Sequence, residues 1–378
     1  MARAGMFRRA IEEMAPYTPG EQPRRGQRLI KLNTNENPYP PSRRVRDAIV
    51  REANHMLRLY PAPRADEFVA SAAALYRVPR EWILAGNGSD ELLAMIFRAA
   101  LGPGDTVAYP VPTYSLYDTL AAVQAAKVVR VPVNSDDTIA LDKLARPRAN
   151  LTIVCNPNSP SGIFTPLKAI AALARKLRGR LLIVDEAYVD FAPESALALL
   201  RRHPNVVVLR SLSKSFSLAG MRLGLCFARP PVIAELMKVK DSYNLSRIAL
   251  AAGAAALGDE ASMRRNCARI IRTRGQTIAR LRRLGFEVPD SAANFVLARM
   301  RGCDLGPLAQ AMRSCGILVR HFATPVLRDA LRISVGSDAE MKAMFTALEK
   351  NLTRLKLKDG EKRGVQSESS AASRAGAR

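Results

Sequence analysis

The sequence predicts an α/β fold with a mostly parallel sheet in a large domain, together with a smaller α+β domain. Short apolar runs alternate with longer amphipathic stretches through the middle of the chain, a rhythm typical of strands connected by helices. After residue 275 the pattern changes, and short runs such as GILVRHF (316–322) and LRISVGS (331–337) take over. We expect these later runs to form the smaller domain together with the N-terminal forty residues.

Six apolar runs are predicted strands of the large sheet, and two stretches between them, 113–126 and 166–179, are predicted helices. The runs are TVAYP (106–110), KVVRVPV (127–133), LTIVCNP (151–157), RLLIVDEAYV (180–189), NVVVLRSL (205–212) and RLGLCFA (222–228). We divide the chain into an N-terminal arm with part of the small domain (1–40), a large domain (41–274), a small domain (275–355) and a disordered basic tail (356–378).

Composition and charge narrow the class of protein. The 378 residues contain no apolar stretch of the roughly 20 residues that span a bilayer, and the N-terminus lacks the apolar core of a secretory signal. The five scattered cysteines indicate a reducing compartment, with neither disulfides nor zinc, so we expect a cytoplasmic protein. The net charge of +24 raises nucleic acid as a partner. The basic residues are spread evenly and aromatics are few, so we expect no nucleic-acid partner and no membrane.

A lysine stands out in RSLSKSFSLAGMRLG (210–224). The apolar run NVVVL (205–209) comes before it, so Lys214 follows the end of a predicted buried strand. A poorly solvated lysine has a lowered pKa, and a neutral amine is a nucleophile toward carbonyl groups. A loop lysine in water explains these residues alone equally well.

Other polar residues come at the ends of neighbouring runs. Asp185 follows an apolar run directly, and a buried carboxylate there needs a cation or a hydrogen-bond donor. Tyr188 lies three residues later. GNGSDELLAMIFRAA (86–100) starts a predicted helix whose first N–H groups would bind an anion, although ordinary helix capping explains it as well. CNPNSPSG (155–162) would be a plain turn in isolation.

One ligand would use all of these groups. Pyridoxal phosphate has a phosphate for the helix start, a ring nitrogen for Asp185, a phenolic oxygen for Tyr188 and an aldehyde for Lys214. The order of GNGSDE, TY, NPNSPSG, DEAY, SLSK and AGMRLG resembles that of fold-type-I aminotransferases, over about residues 10–350. The resemblance implies a seven-stranded sheet and pyridoxal phosphate as the cofactor.

The resemblance also implies a role for each matching residue. Lys214 would bind the cofactor covalently and move a proton during catalysis, Asp185 would pair with the ring nitrogen, and Tyr188 would bond the phenolic oxygen. Tyr114 would stack on the ring. The phosphate would be held by Ser211, Ser213, Arg222 and the backbone amides of Ser89 and Asp90.

One position departs from the family pattern. The family has Asn-Pro-Thr-Gly, whose asparagine bonds the phenolic oxygen, where this chain has Ser159-Pro160-Ser161-Gly162. Asn158 stands one residue earlier. We predict Asn158 as the donor because an amide is the better one, with Ser159 as the alternative.

The N-terminal stretch narrows the resemblance to the histidinol-phosphate aminotransferase subgroup. MAPYTPG (14–20), KLNTNENPYPPS (31–42) and RLYPAPRADEF (58–68) carry it. It implies transfer of the amino group of L-histidinol phosphate to 2-oxoglutarate within histidine biosynthesis, by a homodimer with shared active sites. The expected substrate-binding residues are Tyr17, Asn35, Arg320, Arg332 and Tyr60, the last reaching the partner's site and its cofactor. A phenylalanine (aromatic) aminotransferase and a threonine-phosphate decarboxylase remain alternatives on this scaffold.

Overall fold

The protein, seen in a computed structural model that describes residues 5–16, 20–24 and 26–353, contains two β-sheets covered by helices. Tyr17 and the predicted tail (356–378) lie outside the described residues. The strands are β1 (Ile30–Leu32), β2 (Ile83–Asn87), β3 (Thr106–Val111), β4 (Lys127–Pro132), β5 (Leu151–Cys155), β6 (Leu181–Asp185), β7 (Val206–Ser211), β8 (Leu223–Phe227), β9 (Phe295–Arg299), β10 (Ile317–His321) and β11 (Ala330–Ser334).

The helices mostly connect these strands. They are α1 (Arg9–Glu13), α2 (Arg43–Glu52), α3 (Asp66–Tyr76), α4 (Gly88–Ala100), α5 (Leu116–Val123), α6 (Leu141–Leu144), α7 (Leu167–Lys176), α8 (Pro230–Val239), α9 (Arg247–Leu257), α10 (Glu260–Arg283), α11 (Gly306–Ser314) and α12 (338–353). Among the helices that the structure describes, none is long and apolar enough to cross a membrane.

The larger sheet has seven strands in the order β2-β8-β7-β6-β5-β3-β4. β8 runs antiparallel to both of its neighbours, and the other pairs are parallel. Each of the six predicted runs coincides with one of these strands to within a few residues, which confirms the mostly parallel α/β sheet. The seventh strand, β2, was not located, because its short sequence ILAGN ends in the glycine-rich stretch assigned to the start of α4.

The central strands are buried on both faces, as expected for a parallel sheet covered by helices. Along β7, Val206 and Val208 pack in the core on one face, while Val207 and Leu209 pack in the core on the other. Because every residue faces a core, the strand has a continuous apolar sequence. The carboxyl ends of β5, β6 and β7 meet at one edge, where Asp185 pairs in register with Cys155 and Leu209.

The smaller sheet joins distant parts of the chain in the order β1-β10-β11-β9. β1 is parallel to β10, while β11 is antiparallel to both β10 and β9. Leu32, Val296, Ile333 and Phe345 pack in the core beside it. The N-terminal strand is thereby fixed to the C-terminal part of the chain, and it positions the segment that follows it, residues 33–37.

The predicted domain boundary at residue 274 falls inside the continuous helix α10. Met263 and Ile270 of this helix pack in the core of the larger sheet, whereas Ile278 and Leu281 pack in the core of the smaller one. The buried face of α10 therefore changes partners near the predicted boundary without a break in the helix. The division into domains remains a prediction.

Candidate active site

Lys214 lies in the turn after β7, at the carboxyl edge of the larger sheet. Its Nζ donates to the backbone oxygen of Thr34 at 3.1 Å, and its own backbone oxygen accepts from the Asn37 amide at 2.9 Å. Burial, and then the nearby Arg332 guanidinium, lower the pKa of Lys214 to about 8. The neutral fraction near neutral pH is therefore far larger than for an ordinary lysine, and the neutral form is the one that nucleophilic or basic chemistry requires.

Asp185 ends β6 and is buried. Burial raises the pKa of Asp185 to about 6, against the effect of two hydrogen bonds. The Tyr117 hydroxyl donates to Oδ2 at 2.7 Å, and the backbone N–H of Ala187 donates to Oδ1 at 3.2 Å. Tyr117 was not predicted as a site residue. The available signal was its spacing of three residues from Tyr114, which places both tyrosines on one face of a helical turn.

Tyr188 follows on the same loop, and its hydroxyl accepts a hydrogen bond from the Asn35 amide at 3.1 Å. The Lys214 Nζ lies 6.0 Å from the centre of its ring. Asn35 has a φ of +58°, and the Ser334 hydroxyl accepts from its backbone N–H and donates to its side chain. The structure thus brings Lys214, Tyr188 and Asn35 together at one end of the smaller sheet.

A polar cradle forms where α4 begins. The Arg222 guanidinium contacts the Ser213 hydroxyl at 3.5 Å and the Asp90 carboxylate at 2.9 Å. Gly88 has a φ of +79°, and a Cβ there would lie 2.5 Å from the guanidinium of Arg222. A Cβ on Gly224 would lie 2.5 Å from the Gly88 backbone. Two glycines thus let the arginine approach the helix start, where N–H groups without intrahelical acceptors favour an anion.

Three further predicted residues surround this cradle. Ser89 is in the first turn of α4, and the Ser211 hydroxyl accepts from the backbone N–H of Ser213 at 3.2 Å. The Tyr114 hydroxyl donates to Asp90 at 3.1 Å, and its ring meets Tyr117 edge-on at 5.6 Å. The Asp90 side chain consequently connects the cradle to the aromatic pair beside Asp185.

Asn158 and Ser159 face different neighbours. The Asn158 amide donates to the Pro112 backbone oxygen at 3.2 Å and to the Ser161 hydroxyl at 3.4 Å. The Ser159 hydroxyl accepts from Arg332 at 3.2 Å. The Asn158 amide is thus directed at the loop after β3 and at its own turn after β5, whereas the Ser159 hydroxyl lies on the side of Arg332. The identity of the donor to the phenolic oxygen remains a prediction.

Arg320 and Arg332 form a cross-strand pair on β10 and β11. The guanidinium carbons lie 5.3 and 5.6 Å from the centre of the Phe322 ring, and Arg332 also donates to the Asn33 backbone oxygen at 3.0 Å. Two like charges placed opposite each other are destabilising unless an anion lies between them. This pair is therefore a candidate anion site separate from the cradle at α4.

Tyr60 lies on the protein surface, where its ring stacks on Tyr243 with 4.4 Å between centres and is 77% exposed. It belongs to an exposed segment that also includes Leu57 and Leu59. A role for Tyr60 in the site of its own chain gains no support from this position.

Residues 27–348 match the family model described as aminotransferase class I and II. The chain belongs to this family. Among curated proteins, this aminotransferase is 43% identical to histidinol-phosphate aminotransferase 1 of Trichormus variabilis, over 90% of this chain and 97% of that protein. It is 46% identical to the histidinol-phosphate aminotransferase of Syntrophotalea carbinolica, over 90% and 98%.

A solved structure extends the comparison to three dimensions. The histidinol-phosphate aminotransferase of Sinorhizobium meliloti, in complex with pyridoxal-5'-phosphate, superimposes with a TM-score of 0.84 at 28% identity. The match covers 94% of this aminotransferase and 99% of that chain. The predicted fold and family are therefore confirmed.

Proposed function

We propose that this aminotransferase transfers the amino group of L-histidinol phosphate to 2-oxoglutarate, with pyridoxal phosphate as its cofactor, in histidine biosynthesis. The similar proteins named above carry this activity in their names, and one of them binds this cofactor. The observation that carries the choice of substrate is the cross-strand pair of Arg320 and Arg332, a second anion site beside Lys214.

The donor set of the site fits pyridoxal phosphate. Lys214 offers a buried amine with a lowered pKa, and Asp185 offers a buried carboxylate that has two neutral donors. Gly88 leaves room for the Arg222 guanidinium at the start of α4, and Gly224 leaves room for the Gly88 backbone; this arrangement suits a phosphate. When bound, the cofactor supplies an aldehyde that accepts the amino group and a ring that withdraws electrons from the reacting carbon.

The residues of the chain bind, orient and move protons around that group. Lys214 Nζ, in its neutral form, is positioned to take the proton from Cα of the amino donor. Asp185 keeps a positive charge on the ring nitrogen, and Tyr188, oriented by Asn35, donates to the phenolic oxygen. Tyr114, held by its bond to Asp90, orients the ring. Residues 33–37 contact Lys214 through Thr34 and Asn37, and this cover limits the access of water to the amine.

The arginine pair distinguishes a phosphorylated substrate from other amino donors. A phosphate dianion gains more from two guanidinium groups than a carboxylate does, because charge-assisted bonds scale with the charge on the acceptor. Arg332 would also bind the α-carboxylate of glutamate in the second half-reaction, since both substrates use one site. The sequence-predicted alternatives, phenylalanine transamination and decarboxylation of threonine phosphate, are outcomes of the same test.

The test follows the absorbance of the bound cofactor during single half-reactions with histidinol phosphate, histidinol, phenylalanine and threonine phosphate. Losing one buried contact to a charge costs about 2–5 kcal/mol. Arg332→Ala should therefore weaken the apparent affinity for histidinol phosphate by roughly 30-fold or more, and should affect phosphate-free histidinol little. Arg328→Ala, an exposed arginine in the loop before β11, is the matched control.

Two results would overturn the proposal. Equal losses for histidinol and histidinol phosphate would show that Arg332 supports the fold and does not bind the phosphate. Faster reaction of the wild-type protein with phenylalanine, or release of CO₂ from threonine phosphate, would reassign the substrate.

We also infer a homodimer with shared sites, because Tyr60 and its apolar neighbours are exposed. The test mixes inactive Lys214→Ala subunits with Tyr60→Ala subunits. If Tyr60 acts in the partner's site, each hybrid dimer contains one site with both residues intact, and activity returns on mixing. If no activity returns while hybrids form, the assignment of Tyr60 to the partner's site is wrong.

A further inference from the structure

The carboxylate of Asp185 is surrounded by groups from several elements. Its neighbours across the sheet are Cys155 on β5 and the apolar Leu209 on β7. The direct hydrogen bonds come from the Tyr117 hydroxyl at 2.7 Å and the Ala187 backbone N–H at 3.2 Å. Both of these donors are neutral, so the carboxylate keeps the capacity to bind a positive charge.

Tyr117 is fully buried in α5, and its ring is packed between two other tyrosines. The ring centres of Tyr109 and Tyr114 lie 5.6 Å from that of Tyr117. Burial, and then the charge of Asp185, raise the pKa of Tyr117 well above its ordinary value. The hydroxyl thus keeps its proton at every working pH, and the packing fixes the direction in which it donates.

The ionisation of Asp185 depends on a balance of opposing effects. Burial is the largest, raising the pKa of Asp185 to about 6, and the charge of Asp90 on α4 adds to it. The Tyr117 hydroxyl and the Ala187 N–H lower it. The other titratable groups that face this carboxylate, Cys155 and Tyr188, themselves have raised pKa values and stay neutral. The hydrogen bond from the Tyr117 side chain lowers the pKa of Asp185 and so favours the ionised carboxylate near neutral pH.

We propose that Tyr117 is a positioning residue that stabilises the ionised form of Asp185 and orients its carboxylate toward the ring nitrogen of the cofactor. This role rests on the proposed function, since it assigns Asp185 to that nitrogen. Tyr117 touches neither substrate nor cofactor in this role and acts through the carboxylate. Without its hydroxyl, the ionised form of Asp185 would lose a hydrogen-bond donor, and the counter-charge to the ring nitrogen would be less stable.

The experiment compares Tyr117→Phe with a matched control, Tyr109→Phe. Tyr109 is equally buried and also donates to a carboxylate at 2.7 Å, but its partner is Asp118, which is exposed and paired with Arg130. Each change removes one hydroxyl and keeps the ring. A hydrogen bond to a charged group corresponds to roughly tenfold in an equilibrium constant. We expect Tyr117→Phe to weaken pyridoxal phosphate binding to the cofactor-free protein about tenfold at pH 8, with little change in the control.

A second measurement needs no cofactor. A donor matters most to the ionised carboxylate, so the loss of melting temperature caused by Tyr117→Phe in the cofactor-free protein should grow as the pH rises from 5 to 8. The loss caused by Tyr109→Phe should stay constant over that range. If pyridoxal phosphate failed to bind at all, the proposed function would fall, whereas this pH dependence would still test the contact between Tyr117 and Asp185.

Kinetics and a double variant complete the test. In Tyr117→Phe, kcat should fall about tenfold while KM for the amino donor stays near its wild-type value. In an Asp185→Asn background, Tyr117→Phe should weaken cofactor binding no further, because the charge it stabilises is gone. Additive losses in the double variant, or unchanged binding and a constant melting difference in Tyr117→Phe, would overturn the proposal and leave Tyr117 as a packing residue.

Discussion

Asp185 and Glu186 are consecutive, equally buried carboxylates with opposite surroundings. Asp185 meets two neutral donors at the site edge. Glu186 accepts from the Ser195 hydroxyl at 2.7 Å and from the Arg210 guanidinium at 3.4 Å. Glu186 therefore has its own cation, whereas the hydrogen bonds described for Asp185 come from neutral donors. The comparison separates a carboxylate that completes the fold from one that is kept for a ligand.

The surroundings of Glu186 form a cluster that we call the Arg210 cluster, consisting of Arg210, Glu186, Asp190, Ser195 and Ser215. Arg210 contacts Asp190 at 3.0 Å, and the Ser215 hydroxyl donates to Asp190. Each of three members is a chain neighbour of a site residue: Glu186 follows Asp185, Arg210 precedes Ser211 and Ser215 follows Lys214. The Arg210 cluster thus holds the backbone that carries Asp185, Ser211 and Lys214 in place.

The largest loss of activity should come from changing Lys214, which lies with Asp185 in the candidate active site. Lys214→Ala removes the amine, and transamination should fall by about 10⁴-fold or more, since both covalent attachment and proton transfer are lost. Melting temperature should change little, because the Arg210 cluster is intact. Borohydride reduction and peptide mapping should attach the cofactor to Lys214 in the wild-type protein, and Lys238→Ala, an exposed lysine, should behave as wild type. A labelled peptide centred on another lysine would contradict the assignment.

Changing the Arg210 cluster should lower the free energy of unfolding. Arg210→Met leaves the buried Glu186 and the partly buried Asp190 without their cation, and the free energy of unfolding should fall by about 3–5 kcal/mol. Arg130→Met, which breaks an exposed pair with Asp118, is the control and should cost less than about 1 kcal/mol. Urea unfolding of both variants measures the difference. A similar cost for the two would mean that burial does not distinguish these pairs.

Asp185→Asn should separate activity from stability. The turnover number should fall by about two orders of magnitude, as for other lost charge-stabilising contacts. The folded pKa of about 6 lies above the unfolded value of about 4, so ionising Asp185 costs the cofactor-free protein stability as pH rises from 4 to 6.

The variant should therefore be more stable than wild type above pH 6, by about 3 kcal/mol, and equal to it below pH 4. Unfolding curves at pH 4 and pH 8 measure this. A variant less stable at pH 8 would show that Asp185 is as structural as Glu186.

The smallest expected effect comes from Ser215, which belongs to the Arg210 cluster and is the chain neighbour of Lys214. Ser215→Ala removes one hydrogen bond to Asp190, next to Lys214, and should cost about 1 kcal/mol of unfolding free energy. We expect turnover within about threefold of wild type, because Arg210 still holds Asp190. A much larger loss of turnover at unchanged stability would show that the hydroxyl sets the position of Lys214 directly.

The parts of the fold that follow from local patterns could be predicted from the sequence. Buried strands give continuous apolar runs, so β3 to β8 were located. Asp185, at the end of one such run, and Lys214, a few residues past the next, could be assigned to one edge. β2 could not, because its last residues are also those of a helix start. The location of a residue at a strand end can be predicted because the sheet fixes where each strand ends.

Other features depend on contacts between distant segments. In the sequence Tyr117 resembles an ordinary core aromatic of an amphipathic helix, and nothing local connects it with Asp185. The bond from Lys214 to the Thr34 carbonyl involves a backbone atom, which leaves no trace in residue identity. Asn158 was predicted from the chemistry of its amide; in the structure that amide donates to the Pro112 backbone oxygen, and its role toward the phenolic oxygen stays a prediction. Side-chain direction within a loop was the information that the sequence lacked.

The pairing of β1 with β10 has a consequence for synthesis of the protein. Ile30 of β1 lies opposite Ile317 of β10, so β1 can pair only after a strand 287 residues later in the chain has been synthesised. At typical rates of translation that wait is roughly 15 to 60 s. The larger sheet can form during this time, but Asn35 and the Thr34 carbonyl reach their places only when β1 docks. Lys214 is therefore synthesised well before β10, and its contact with the Thr34 carbonyl depends on the later docking of β1 on that strand.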